Sequence, residues 1–279
     1  MSAFENYTQT SNDYDQTRQA GGLEIIIGCL QAAGLDLNHS TLLDAGCGTG
    51  SYTQAILPWV KNIIGVDLNP GMLAQANRKL EREIESGQVR LLQSDLTELD
   101  LETASVDAAM MNQVLHHLPD SRQDHWQIRR KLFLELARVV RPGGVFILNA
   151  SRLVQLHRGF WYYELIPQAL ARTCARHLEH NEISDLFIES GFSFQGCCVP
   201  VDTVLQGEHY FDRHGPETAA WRNGDSIWAD VSEQELSSGL AKLSKLHSSG
   251  KIDAFMAQRE QWRLEVGQCS FFYGIREAT

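Results

Sequence analysis

The chain has 279 residues, a formal net charge of −11, and 43% hydrophobic against 21% charged residues. That composition fits one enlarged globular domain rather than a disordered or fibrous chain, and the excess of acid leaves no basic field to hold DNA or RNA. No run approaches the roughly 18 consecutive apolar residues of a membrane span, and Met1-Ser2-Ala3-Phe4-Glu5 lacks a signal peptide's basic end and apolar stretch, so a cytoplasmic protein without membrane contact is expected.

Residues 1–40 read as a helical cap, with Gly21-Gly22 breaking it before the apolar Leu23 to Leu30. From residue 41, short apolar runs alternate with longer amphipathic stretches, as in repeated βα units. Leu42-Leu43, Ile63 to Val66, Val89 to Leu92, Val106 to Met111 and Val145 to Leu148 read as five buried strands, each too short for a helix. Helices fit Gly71 to Ile84 and Gln127 to Val140, the second stopped by Arg141-Pro142-Gly143-Gly144. Ile183 to Phe194 reads as a helix closed by Gly191 ahead of a sixth strand, and a seventh strand fits Ser270 to Ile275. The expected fold is a doubly wound, Rossmann-like α/β sheet of seven strands, with ligands bound beyond the carboxyl ends of the strands. Residues 203–266 form an insertion between strands six and seven, with a helix from Ser232 to His247. The insertion covers a substrate, packs on the sheet edge, or joins two copies in a homodimer.

Leu42-Leu43-Asp44-Ala45-Gly46-Cys47-Gly48-Thr49-Gly50 places three glycines at alternate positions between a strand and a helix, where backbone can approach a ligand closely. A dinucleotide fingerprint would need glycine where Ser51 stands, which disfavours a nicotinamide-dependent oxidoreductase. Asp67 ends the second strand, and a carboxylate there can accept from both hydroxyls of a ribose.

The DxGxGxG pattern of Asp44 to Gly50 resembles motif I of the class I S-adenosylmethionine-dependent methyltransferases, and the resemblance extends over about residues 40–151. It implies S-adenosylmethionine as cofactor, the loop of Asp44, Gly46, Cys47 and Gly48 wrapping its methionine part, and Asp44 holding its ammonium directly or through water. It further implies Leu68 and Met72 against the adenine, Asp95 accepting from the adenine amino group, and the Leu96 N–H meeting a ring nitrogen. Asp95 as the N-cap of a short helix is the simpler structural reading. Asn112 and Gln113 would line the cofactor. The segment His116-His117-Leu118 marks the superfamily, and either imidazole could serve as general base for a hydroxyl acceptor. Near the start, Tyr14 and Arg18 stand four apart on one helix face and could close over the cofactor, Arg18 forking onto its carboxylate.

The expected reaction is methyl transfer to a sulfur, nitrogen or oxygen atom of a small molecule. Trp161, Tyr162, Tyr210 and Arg222 are the candidate acceptor contacts, although aromatics at such spacings serve cores more often than sites. No metal site is expected, because the six cysteines form no CxxC pair. An arsenite-type metalloid methyltransferase would need thiolates to converge, whereas adjacent Cys197 and Cys198 on a strand point to opposite faces. A non-enzymatic nucleoside-binding module on the same fold is the rival from another class, disfavoured by the intact Asp44, Asp67 and Asp95.

Overall fold

The computed structural model describes residues 20–278. Its strands are β1 Thr41–Ala45, β2 Asn62–Asp67, β3 Val89–Gln93, β4 Val106–Asn112, β5 Val140–Ala150, β6 Phe192–Cys198 and β7 Ser270–Arg276. They make one seven-stranded sheet in the order β3-β2-β1-β4-β5-β7-β6. The first five run parallel, and β7 lies antiparallel between β5 and β6. The described helices of ten or more residues are α1 Leu23–Ala32, α2 Pro70–Lys79, α3 Gln127–Val139, α4 His180–Glu189, α5 Glu233–Ser248 and α6 Ile252–Val266.

Because successive strand residues point to opposite faces, each continuous apolar run feeds two cores. Leu42, Ile63, Met110 and Ile147 enter one, which α1 and the insertion complete. Leu43, Val66, Met111 and Leu148 enter the other, closed by Phe133 of α3 and Phe187 of α4. The strand order reverses between β1 and β4, and the loops leaving those two strands open the crevice where such sheets take ligands.

Several boundaries differ from the sequence reading. β5 begins at Val140, because Val106 pairs with Val140 and Ala108 with Val145, so residues 141–144 bulge from the ladder, with Gly143 at φ 78°. The helix expected over 71–84 divides at buried Leu80 (φ −112°) into α2 and the short turn Glu81–Glu85. Phe192 to Phe194 belong to β6, since Gly191 at φ 85° ends the preceding turn. Ser232 caps α5 by accepting from Glu235 N. The second insertion helix, α6, has no apolar stripe to betray it, and only Ile252 and Arg263 of its residues are buried. Phe160, Trp161, Tyr162, Leu205, Tyr210, Trp221 and Leu243 form one cluster, so the insertion shares a core with the segment that follows β5. No described helix is long and apolar enough to cross a membrane.

Candidate active site

β1 delivers Asp44 to the crevice, and the chain then turns sharply. Gly46 N and Cys47 N both donate to Val66 O, at 2.7 and 2.9 Å, pinning the loop to the end of β2. Gly46 has φ 81°, and a Cβ there would stand 2.4 Å from Val114 Cγ2. The loop ends at Gly50, which starts the helix Ser51–Ile56. From that helix Thr53 Oγ1 donates to Asp44 Oδ2 at 2.6 Å. Asp44 Oδ1 is also buried and has no hydrogen-bond partner. Burial pushes the Asp44 carboxyl up to about 7, with the charge of Asp67 adding to the rise and the Thr53 hydroxyl opposing it.

Asp67 accepts from Gly48 N at 2.9 Å on one oxygen and from Asn69 N at 2.8 Å on the other. Burial raises its carboxyl, and these backbone donors hold it back. Asn69 caps α2 by accepting from Gly71 N and Met72 N, which sets Met72 into the wall and leaves Leu68 half exposed. At the end of β3, Asp95 Oδ1 accepts from the N–H and the hydroxyl of Thr97, both at 2.8 Å. The Thr97 N–H holds the Asp95 carboxyl below the usual carboxylate range. No helix follows Asp95, so it is not the helix cap of the simpler reading; one of its oxygens holds the turn at Leu96 and Thr97 instead.

The floor comes from β4. Gln113 sits at φ 56°, a left-handed conformation rare outside glycine, and is kept there by donating from its backbone to Asn149 O at 2.9 Å and from Nε2 to Asn149 Oδ1 at 3.0 Å. Asn149, fully buried in β5, donates in turn to Tyr52 Oη at 3.1 Å and to Asn112 Oδ1 at 3.4 Å. Asn112 Nδ2 is buried without a partner. Past the floor, the rings of His116 and His117 lie 4.0 Å apart, and buried His177 stacks on His116 at 5.0 Å and 14°.

These residues surround a cavity of about 430 Å3, lined by Gly46, Gly48, Asp67, Leu68, Met72, Asp95, Leu96, Asn112, Gln113 and His117 among others. A smaller recess of about 70 Å3 adjoins it at Gly46, Gly48, Asn112 and Gln113, and adds Asp44, Cys47, Tyr52 and Leu205. Every residue expected against the cofactor and lying within the described segment therefore lines one or both. Tyr14 and Arg18 lie outside the described residues.

Residues 43–148 match a family model described as a methyltransferase domain. Over 154 residues the chain is 29% identical to a probable S-adenosylmethionine-dependent methyltransferase of Mycolicibacterium smegmatis, covering 55% of this chain and 52% of that protein. Residues 43–148 thus resemble an S-adenosylmethionine-dependent methyltransferase domain in sequence. The chain spans about half the length of that relative. A putative methyltransferase from an antibiotic biosynthesis pathway of Anabaena variabilis has a similar fold over 94% of this chain and 99% of its own, with a TM-score of 0.71 at 19% identity. Phosphoethanolamine N-methyltransferase 2 of Haemonchus contortus, solved with S-adenosyl-L-methionine, matches with a TM-score of 0.58 at 18% identity, over 97% of this chain and 57% of its own. At those identities the likeness is one of fold.

Around this core, the side chains expected to touch an acceptor do other work. Trp161, Tyr162 and Tyr210 are buried, at 1%, 0% and 2% exposure. Trp161 Nε1 donates to Tyr210 O at 2.7 Å, and Tyr162 Oη donates to Asp225 Oδ2 at 2.6 Å. Arg222 donates to Pro216 O at 2.7 Å. All four pack and brace the insertion, and none lines either cavity. His116 stands behind His117 and does not reach the cavity wall. Cys174 lies 3.6 Å from His157, and the cysteines form no converging set of three donors among the described residues. Asn149, Thr53, Tyr52 and Leu205 escaped the sequence reading. Asn149 alone left a signal there, as an amide inside the apolar run Val145 to Ala150.

Proposed function

We propose that the protein is an enzyme that moves a methyl group from S-adenosylmethionine to a sulfur, nitrogen or oxygen atom of a small molecule. The observation that carries this reading is Asp44 Oδ1, a buried acceptor without a partner in a recess that opens toward Asp67. An orphaned buried acceptor costs on the order of 1–3 kcal/mol, and a ligand ammonium answers it. Asn112 Nδ2, the orphaned donor on the same floor, is suited to an oxygen of the same ligand.

The remaining donor set fits the rest of that cofactor. Each Asp67 oxygen holds one backbone N–H and keeps a second lone pair for a ribose hydroxyl. Leu68 and Met72 offer apolar wall for a planar base, and Asp95 with the Leu96 N–H offers an acceptor and a donor for its edge. The bare backbone of Gly46 and Gly48 leaves room for a methionine chain, and a Cβ on Gly48 would meet nothing within 4 Å.

When bound, S-adenosylmethionine supplies a methyl carbon on a positively charged sulfur, open to in-line displacement. The protein's share is alignment and exclusion of water by the rigid floor of Asn112, Gln113 and Asn149. Thiolates and neutral amines need no further help. For a hydroxyl acceptor, His117 is the imidazole in the cavity wall that could take the proton, with His116 bracing it from behind. The excess of negative charge favours a small acceptor over a nucleic acid.

Calorimetry with S-adenosylmethionine and with NADH tests the cofactor, and binding of neither overturns the reading. A screen of thiols, amines, hydroxy acids and phenols, read by formation of S-adenosylhomocysteine, then identifies the acceptor. Binding without turnover on any of them favours the non-enzymatic nucleoside-binding module.

A further inference from the structure

Away from the cavity, three described side chains of the insertion bring metal-ligating atoms together: His214, Glu217 and His247, whose donor atoms all lie within 4.8 Å of one another. His214 Nδ1 is 3.3 Å from Glu217 Oε1, and His247 Nε2 is 3.9 Å from the same oxygen. The two imidazoles face each other with centroids 4.2 Å apart and planes 15° from parallel.

The cluster is braced from both sides. His214 N donates to Asp212 Oδ1 at 2.9 Å, and Glu217 N donates to His214 O at 2.9 Å, which closes the tight turn that carries both side chains. His247 comes from the last turn of α5, and its Nε2 donates to Arg213 O at 3.1 Å. Two imidazoles with one carboxylate between them make an N2O donor set, the kind that binds zinc with a fourth position left to water.

We infer that His214, Glu217 and His247 form a site for a divalent ion of the zinc class, which ties the turn at residues 214–217 to the end of α5. Ligand bonds of about 2.0–2.1 Å draw the two nitrogens together to roughly 3.4 Å and turn the rings out of their stack. The Nε2–H bond of His247 to Arg213 O gives way to the metal bond as the imidazole shifts its proton to Nδ1. The ion braces the insertion and takes no part in methyl transfer, so the site stands or falls independently of the proposed activity.

The test uses untagged full-length protein, stripped with a chelator and titrated with Zn2+ alone and with Co2+ alone. One equivalent of each should bind, the Co2+ spectrum should show four-coordinate nitrogen and oxygen ligation without a thiolate charge-transfer band, and Zn2+ should raise the melting temperature. His214→Ala and His247→Ala should each weaken binding roughly tenfold or more, as losing a ligand outweighs losing a supporting contact. Metal-free melting of these variants reports that they are folded. A Glu217→Gln variant should bind more weakly than the parent and better than either alanine variant. Absence of stoichiometric binding, a thiolate band, or undiminished affinity in the variant with both histidines replaced overturns the site.

Discussion

Asp67 works in two directions at once: its carboxylate anchors the backbone of Gly48 and Asn69, and its remaining lone pairs face the cavity. Asp67→Ala should therefore weaken S-adenosylmethionine binding strongly, each lost hydrogen bond to a charge being worth about 1.5–3 kcal/mol. Calorimetry reads this directly, and unchanged affinity would refute the placement. At Asp44 the effect is on pH. Its carboxyl is raised from 3.8 to about 7, so the free protein keeps it protonated over much of that range. The preference for the neutral form adds stability that is fully present below pH 3.8 and is lost as pH rises through about 7. An ammonium favours the ionised form, so cofactor affinity should climb as pH rises through about 7, with proton release, and Asp44→Asn should flatten the climb. His177 has the opposite sign. Burial lowers its imidazole from 6.5 to about 4, and its Nδ1 donates to Thr173 O at 2.8 Å. The unfolded chain takes up a proton at His177 below pH 6.5 that the native protein refuses until about 4, so stability should drop across that window. Urea midpoints against pH should show the drop in the parent and lose that share of it in His177→Gln.

The strands and the loops after them were legible because both obey local rules. Each parallel strand is an apolar run bounded by turn residues, and the expected cofactor residues fall at strand ends, where the topology must bring them together whatever the details of packing. What stayed illegible depends on partners far along the chain. Nothing in Phe160 to Tyr163 says whether its aromatics face a ligand or a core, and the answer comes from Leu205, Tyr210 and Trp221 of the insertion. Likewise α6 presents no periodic face, and the bulge at residues 141–144 exists only in register with β4. Phe146 tests the packing at this scale. It is fully buried in β5 against Phe133, Phe187 and Phe192 at centroid distances of 5.2, 5.1 and 5.7 Å. Phe146→Ala should destabilise the fold by about 3–5 kcal/mol, measured by chemical denaturation. A loss below about 1 kcal/mol would mean that the cavity collapses freely.

The insertion and the sheet share one core, so they should unfold together. Deleting residues 203–266 would strip the cover from Trp161 and Tyr162, now 1% and 0% exposed. The shortened chain should lose cooperative unfolding and bind a hydrophobic dye, whereas a sharp transition without dye binding would make the insertion a separable unit. The wedging of β7 between β5 and β6 reaches beyond the finished molecule. Translation at about 5–20 residues per second takes on the order of ten seconds to pass from Ala150 to Ser270. Throughout that interval the nascent β5 has β4 on one side and an open edge of Val145, Phe146, Ile147 and Leu148 on the other, awaiting the strand that pairs with it. Such an edge is a template for any passing strand. The sheet is thus most prone to aggregate while it is being made, and a chaperone that shields β5 until β7 emerges would raise its yield more than any gain in final stability.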